Sequence, residues 1–356
     1  MEKSPLRCAP LVCAALVIAA CGGGTQQPVS TKSAQSSSQA LQINGAGATF
    51  PYPIYSKWFA EYNKIHPDVR INYQPIGSGG GIRQLVNQTV FFGATDGPMT
   101  DEQLKSEPDK ILHLPTVLGA VVPIYNLPGV TDLNFTGPLI ADLYLGKIKK
   151  WNDPAIAKLN PGAKLPATDV TIVHRSDGSG TTFIFVDYLA KVSSEFKSKV
   201  GVNTSVSWPV GVGGKGNEGV SGLVSQTPGS LGYVELVYAL QNKISFGGVQ
   251  NPAGEFVKAS VDSVTKAAAA AAGTMPPDFR VSITNASGQG AYPISSFTWM
   301  LLFQNPTDKA SGRAMVDFLH WAMTDGQKYC ADLGYAPLPD TVVTLVQTAL
   351  QTITVS

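Results

Sequence analysis

Three glycine-rich segments of this 356-residue chain place hydroxyl-bearing residues just before predicted helices. They are Gly45–Pro51, Gly77–Gly81 and Arg175–Thr182. The first residues of a helix have backbone N–H groups without partners and a partial positive charge, so a helix start attracts anions. Glycine lets the backbone approach a ligand closely, and Ser or Thr adds a hydroxyl donor. One such segment is most often an ordinary helix cap, but three in one chain predict a site for a small oxyanion.

A single carboxylate, Asp96, lies in the turn Phe92–Met99 that follows the second of these helices. In isolation, an aspartate in a turn is as often a helix cap or a turn residue as a ligand-binding residue. Beside an anion site, however, a carboxylate selects its ligand by protonation, because hydrogen phosphate can donate a proton to it and sulfate at neutral pH cannot. Polar groups that a wrong ligand leaves unpaired can support discrimination of ~10⁴–10⁵.

Arg175 supplies a planar donor fork that can bind two oxygens of one oxyanion, and Asp177 is placed to hold its guanidinium. Hydrogen bonds to charged groups contribute ~1.5–3 kcal/mol each, and micromolar binding requires only about −8 kcal/mol. A cage of such contacts therefore needs no metal. The four histidines and Cys330 show no metal-ligand spacing, so we expect neither a metal nor a cofactor.

Two further motifs could indicate a cofactor site or an enzyme. Gly211–Gly216 satisfies the dinucleotide pattern GxGxxG, but no clear strand precedes it, and Gly216 stands where a Walker loop needs Ser or Thr after Lys215. We interpret it as a loop. Ser179 could be a nucleophile, but Asp177 breaks the GxSxG pattern and no histidine is evidently placed as its base. We therefore predict no enzyme, with a secreted phosphatase-like enzyme as the alternative.

The glycine-rich segments and the Asp96 turn, in this order, closely resemble the phosphate-binding protein family of the bacterial phosphate-specific ABC transport system. Other stretches that fit this family are Asp142–Trp151, Val210–Gly216, Leu231–Glu235 and Tyr335–Pro339. The resemblance implies an extracytoplasmic, high-affinity inorganic phosphate-binding protein that delivers phosphate to an ABC importer, with permease subunits and their ATPase as partners. The same fold could bind another oxyanion such as sulfate or molybdate, and Asp96 argues against that alternative.

The resemblance also implies which residues bind the ion: Thr49, Phe50, Ser78, Asp96, Arg175, Ser179, Gly180 and Thr181. By this likeness, Thr49 and Phe50 provide backbone N–H and hydroxyl donors, and Asp96 accepts the phosphate proton. Arg175 and the residues that follow it complete the cage from the other side.

The elements that must position these residues follow an α/β pattern. Short apolar runs such as Val121–Tyr125 and Phe297–Phe303 lack clean alternation, which is typical of strands covered on both faces. Apolar residues recur at helical spacing in the stretch Tyr55–Tyr62. We therefore predict mostly parallel sheets flanked by helices.

The resemblance makes this pattern a type II-like periplasmic-binding-protein fold of two lobes joined by two crossover strands. Residues 41–115 and 291–356 would form the first lobe, and residues 116–290 the second.

The amino end is predicted to be a targeting segment. Lys3 and Arg7 precede an apolar run that is too short to span a bilayer, so residues 1–20 are interpreted as a signal peptide of lipoprotein type. Small residues before Cys21 resemble a lipobox, which implies a lipid on Cys21. Residues 21–40, rich in Gly, Ser, Gln and Thr, are predicted to be a flexible tether. We expect export and a lipid anchor on the outer face of the cytoplasmic membrane.

The charge balance excludes one class of partner. The chain has 26 basic and 25 acidic residues, for a net charge of +1, so it lacks the excess of positive charge that nucleic-acid binders use. We expect no nucleic acid as a partner and a monomeric protein.

Overall fold

The computed structural model describes residues 40–271 and 275–355. The predicted signal peptide, Cys21 and the tether up to residue 39 lie outside these residues. The strands are β1 (Leu41–Gly47), β2 (Val69–Gln74), β3 (Phe92–Thr95), β4 (Ile111–Tyr125), β5 (Asn134–Phe135), β6 (Thr171–Arg175), β7 (Val212–Gly214), β8 (Ser230–Glu235), β9 (Ser245–Phe246), β10 (Gly248–Gln250), β11 (Phe256–Val257) and β12 (Ser295–Phe303).

The helices lie between and after these strands along the chain. They are α1 (Tyr52–Ile65), α2 (Ser78–Val86), α3 (Asp101–Lys105), α4 (Gly137–Tyr144), α5 (Pro154–Leu159), α6 (Gly180–Val192), α7 (Ser194–Lys199), α8 (Gly216–Gln226), α9 (Leu236–Gln241), α10 (Val261–Ala271), α11 (Lys309–Met323) and α12 (Asp340–Leu350), with 3-10 helices at Asp325–Tyr329 and Ala331–Leu333. Among the helices of the described ranges, none combines the length and hydrophobicity that crossing a membrane requires.

One continuous sheet runs through the molecule in the order β2-β1-β3-β12-β4-β8-β6-β7, with β9 also paired to β4. The long, entirely buried strand β4 joins its two parts: Ile111–Ala120 pairs with β12, and Val121–Tyr125 pairs with β8. We call β2, β1, β3, β12 and the first part of β4 the first half-sheet. The second part of β4 with β8, β6 and β7 is the second half-sheet.

Strand pairing is mixed, whereas the sequence predicted mostly parallel sheets. The outer pairs β1–β2, β1–β3, β6–β7 and β6–β8 are parallel, but β12 and β4 run antiparallel to the strands beside them. The reason is the path of the chain. Strand β4 carries it from the first half-sheet to the second and β12 carries it back, so the two run in opposite directions where they lie side by side.

The α1 helix shows how the sequence pattern becomes packing. Its recurring aromatic residues are all buried: Tyr55, Trp58, Phe59 and Tyr62. Trp58 is fully buried and its Nε1 donates to the carbonyl of Gly326 at 2.7 Å. Burying a large apolar side chain contributes roughly 1.5–3 kcal/mol, so this face fixes α1 against the first half-sheet.

The carboxyl ends of the parallel strands carry the segments singled out in the sequence. In the first half-sheet β1 ends at Gly47 and β3 at Thr95, and in the second half-sheet β6 ends at Arg175 and β7 at Gly214. Parallel neighbours end at the same edge of a sheet, and ligands of open α/β sheets bind at that edge. The topology therefore gathers the glycine-rich segments of each half-sheet at one edge.

Candidate anion-binding site

The starts of α2 and α6 meet across the two half-sheets. The backbone N–H of Gly79 donates to the carbonyl of Gly178 at 2.9 Å. A Cβ placed on Gly180, the first residue of α6, would lie 2.5 Å from Asp96 Oδ2 and 2.6 Å from Ser78 Oγ. Only glycine permits this approach, which places the start of α6 directly against residues of the first half-sheet.

The hydroxyl of Ser78 is buried at this meeting point. Its Oγ accepts from the backbone N–H of Gly180 at 3.0 Å and from that of Asp96 at 3.3 Å. A hydroxyl oxygen has two lone pairs and one hydrogen, and both lone pairs are used here. The hydroxyl of Ser78 is therefore left as a donor.

The carboxyl group of Asp96 is 1% exposed and only half paired. Its Oδ1 accepts from the hydroxyl of Thr298 at 2.7 Å, whereas Oδ2 makes no hydrogen bond within the described residues. Burial raises the pKa of Asp96 to about 7, against the lowering effects of the Thr298 hydrogen bond and the Arg175 charge. One oxygen of this group is thus free to accept or to donate a single proton.

Arg175 provides the positive charge of the site and is held by Asp177. Its Nε donates to Asp177 Oδ1 at 2.7 Å and its Nη2 to Oδ2 at 2.5 Å, while Nη1 is buried without a hydrogen bond to any described residue. Burial raises the pKa of Asp177, but the hydrogen bonds and charge of Arg175 outweigh it and bring that pKa below its usual value. The ion pair fixes the guanidinium with one edge free.

Two threonine hydroxyls from opposite half-sheets share one partner, Asn217. The amide Nδ2 of Asn217 donates to Thr49 Oγ1 at 2.7 Å and to Thr181 Oγ1 at 3.1 Å, and its backbone N–H also donates to Thr49 Oγ1 at 3.2 Å. Both threonines are buried, and both keep their hydroxyl hydrogens for another acceptor.

These groups bring several buried donors and a buried carboxylate to the meeting of the two half-sheets. The free donors are the hydroxyls of Thr49, Ser78 and Thr181 and the Nη1 of Arg175, and the acceptor is Asp96 Oδ2. Buried polar atoms are nearly always paired, so an unpaired donor and an unpaired carboxylate oxygen in one place indicate that a ligand supplies the partners. That ligand must offer several acceptor oxygens and one hydrogen.

The chain is similar to known proteins over most of its length. A family model described as a PBP superfamily domain matches residues 32–325. The phosphate-binding protein PstS of Xylella fastidiosa is 46% identical over 347 residues, which cover 94% of each chain. The PstS protein of Pasteurella multocida is also 46% identical, over 88% of this chain and 91% of that one. This chain belongs to the PstS family.

The fold of this PstS family member is also similar to that of a solved structure. The structure of a high-affinity periplasmic phosphate-binding protein (PfluDING), bound with phosphate, superposes with a TM-score of 0.70 at 20% identity. The match covers 86% of this chain and 93% of that one. At this identity the likeness concerns the fold alone, and it confirms the predicted fold class of a two-lobed periplasmic binding protein.

Among the remaining predicted residues, Phe50 follows Thr49 and belongs to the hydrophobic core. Its ring is fully buried and its carbonyl accepts from the hydroxyl of Tyr335 at 2.6 Å. Only the backbone N–H of Phe50 is therefore available to a ligand.

Ser179 caps α6, because its Oγ accepts from the N–H of Thr182 at 3.0 Å. His174, the histidine closest to it along the chain, stacks on Trp208 with 5.3 Å between ring centroids, and its Nδ1 pairs with the Arg175 carbonyl at 3.1 Å. These contacts give His174 no role as a base for Ser179. Within residues 40–271 and 275–355, no three His, Cys, Asp or Glu side chains come together as a metal-binding cluster.

The sequence reasoning missed two residues of the site. Asn217 was missed because Gly211–Gly216 was interpreted as a loop. That interpretation was wrong: the segment contains β7 and the start of α8, and it delivers Asn217 between the threonines. Thr298 lies 202 residues from Asp96, and no local pattern could have paired them.

Proposed function

We propose that this protein binds inorganic phosphate as hydrogen phosphate and delivers it to an ABC importer. The observation that carries the proposal is that Asp96 Oδ2 and Arg175 Nη1 are both buried without a hydrogen-bond partner among the described residues. Hydrogen phosphate has three oxygens that accept and one hydroxyl that donates, which matches a cage of several donors and one acceptor. The names of the PstS relatives, which are phosphate-binding proteins, support the same ligand.

Asp96 gives the site its selectivity in this proposal. The pKa of about 7 means that Asp96 is mainly ionised at pH 8. An ionised Asp96 accepts the hydrogen of HPO₄²⁻, but it would face sulfate with two acceptor oxygens and no hydrogen between them. A repulsive contact of this kind discriminates against the wrong ligand more strongly than an attractive contact favours the right one.

Closure of the two lobes completes the site. We keep the lobes at residues 41–115 with 291–356 and at residues 116–290. Thr49, Phe50, Ser78 and Asp96 come from the first lobe, and Arg175, Ser179, Gly180 and Thr181 from the second. The hydrogen bond from Gly180 to Ser78 joins residues on the two sides of the cleft, so it forms as the lobes close. Phosphate bound between them would favour the closed arrangement by contacting both.

We further propose that the protein acts by binding alone, as a monomer, without catalysis. It would be exported and tethered by residues 21–40 to a lipid on Cys21, outside the cytoplasmic membrane. Permease subunits and their ATPase would receive the phosphate.

Titration calorimetry at pH 8 tests the proposed ligand. Phosphate is expected to bind the wild-type protein with a micromolar or tighter Kd, and sulfate is expected not to compete at a hundredfold excess. Asp96→Asn replaces the acceptor oxygen with an amide that can also donate, so this variant should admit sulfate. Sulfate that competes with the wild-type protein at the same concentration as phosphate would contradict the proposal.

A further inference from the structure

We propose that Asn217 is a positioning residue that fixes the hydrogen-bond polarity of Thr49 and Thr181, so that both hydroxyls can only donate to the bound anion. The inference rests on the proposed function, because it concerns the same phosphate site. Asn217 itself is kept away from the ion, since its side chain is occupied by protein partners.

The orientation of the Asn217 amide is set by a partner that can only donate. Its Oδ1 accepts from the backbone N–H of Glu235 at 3.1 Å. An N–H group cannot accept, so the oxygen of the amide must face Glu235 and its NH₂ group must face the threonines. Asn217 is fully buried, and no bulk water reaches it to relax this requirement.

The NH₂ group in turn sets the direction of the threonine hydroxyls. Thr49 Oγ1 receives two N–H groups of Asn217, from Nδ2 and from the backbone, which fill both of its lone pairs. Thr181 Oγ1 receives the second Nδ2 hydrogen. A free hydroxyl can rotate to donate or accept, and a fixed donor loses that ambiguity before the ligand arrives. Each threonine hydrogen is thus reserved for an oxygen of the anion.

Asn217 also connects residues from both sides of the cleft. Thr49 follows β1 of the first half-sheet, whereas Thr181 and Asn217 lie in the first turns of α6 and α8 in the second. The two donors are therefore aligned only when these segments are close together, and their alignment accompanies closure.

The same contacts would be present if Asn217 only stabilised the fold. The test must therefore separate a structural role from a positioning role. We propose a mutant cycle on the full-length protein, with phosphate affinity measured by equilibrium dialysis at pH 8. Asn217→Leu removes the amide at similar volume. The double variant Thr49→Val and Thr181→Val removes the two hydroxyls through which Asn217 is proposed to act.

The expected result is strong non-additivity. In the wild-type background, Asn217→Leu should weaken phosphate binding about tenfold to a hundredfold, the size of one charge-assisted hydrogen bond. In the double-valine background, the same substitution should weaken it by less than about threefold, because the hydroxyls are already absent. Asn217→Asp, which presents an acceptor to both hydroxyls, should weaken binding at least as much as Asn217→Leu.

The matched control is Ser221→Ala, one turn further along α8. Ser221 is also buried, and its Oγ makes no hydrogen bond within the described residues, so this change should leave phosphate affinity unaltered. Thermal unfolding without phosphate reports folding separately for every variant. If Asn217→Leu does not fold, Asn217→Ser takes its place in the same cycle.

The possible outcomes separate this inference from the proposed function. An equal loss of affinity from Asn217→Leu in the wild-type and double-valine backgrounds would show a structural role and overturn the inference alone. A wild-type protein that does not bind phosphate would overturn the proposed function, and this inference with it.

Discussion

The two half-sheets bring opposite chemistry to one site. The first contributes Asp96, one oxygen of which has no hydrogen-bond partner within residues 40–271 and 275–355. The second contributes Asp177, both oxygens of which accept from Arg175. Their pKa values move in opposite directions: burial raises that of Asp96 to about 7, while Arg175 brings that of Asp177 below its ordinary value despite burial. Pairing makes Asp177 a support for the guanidinium, whereas Asp96 Oδ2, without a hydrogen-bond partner in the described residues, stays available to a ligand.

The substitution with the largest expected effect on phosphate binding is Arg175→Ala. The substitution removes the guanidinium and leaves the partly buried Asp177 as an uncompensated charge beside the anion. We expect phosphate affinity to fall at least a thousandfold, or about 4 kcal/mol, as measured by calorimetry at pH 8. Arg313→Ala is the control, because Arg313 bonds the carbonyl of Val355 at an exposed position. Near-normal affinity in Arg175→Ala would show that the second half-sheet does not provide the charge.

The raised pKa of buried Asp96 should be visible in the stability of the ligand-free protein. The folded protein holds the Asp96 proton with a pKa of about 7 against an ordinary value of 3.8, so its contribution to stability is present below pH 4 and is lost as pH rises to about 7. The difference corresponds to about 4 kcal/mol at most. In phosphate-free thermal unfolding, the stability of Asp96→Asn relative to the wild-type protein should therefore increase between pH 5 and pH 8. A stability difference that stays constant over this range would contradict a raised pKa.

The sequence predicted the glycine-rich segments of the site better than the contacts between distant strands. The segments before α2 and α6 were recognisable because small residues, hydroxyls and a following helix pattern are adjacent in the chain. The partner of Asp96 was not recognisable, because Thr298 reaches it only through the pairing of β12 with β3, in which Met300 lies opposite Ala94. Antiparallel pairing of β12 with its neighbours depends on the path of the whole chain, which local patterns do not contain.

One added carbon atom can prevent the close approach of the two half-sheets. Gly180→Ala would place a Cβ 2.5 Å from Asp96 Oδ2 and 2.6 Å from Ser78 Oγ, so the two sides must separate. We expect phosphate affinity to fall roughly a hundredfold, the size of one or two lost charge-assisted contacts. Gly222→Ala is the matched control, since a Cβ there meets no atom within 4 Å. Equal affinities of the two alanine variants would argue against a site formed by contact between the half-sheets.

The smallest expected effect is on the pH dependence of sulfate binding, which tests the role of Asp96 as an acceptor. Below its pKa of about 7, Asp96 carries its own hydrogen and can donate to sulfate. Direct binding of sulfate, whose own charge does not change in this range, should therefore strengthen roughly tenfold as pH falls from 8 to 5, and Asp96→Asn should show no such trend. Equilibrium dialysis of sulfate without phosphate at the two pH values measures it. The same trend in both proteins would mean that another group causes it.

The central claim is that a proton on the ligand bridges to Asp96 while Arg175 holds another oxygen. A crystal structure of the protein grown with phosphate at pH 8 tests this most directly. We predict one phosphate oxygen about 2.5–2.7 Å from Asp96 Oδ2 and a second within hydrogen-bond distance of Arg175 Nη1. Phosphate bound elsewhere, or an Asp96 carboxyl group turned away from it, would contradict the account.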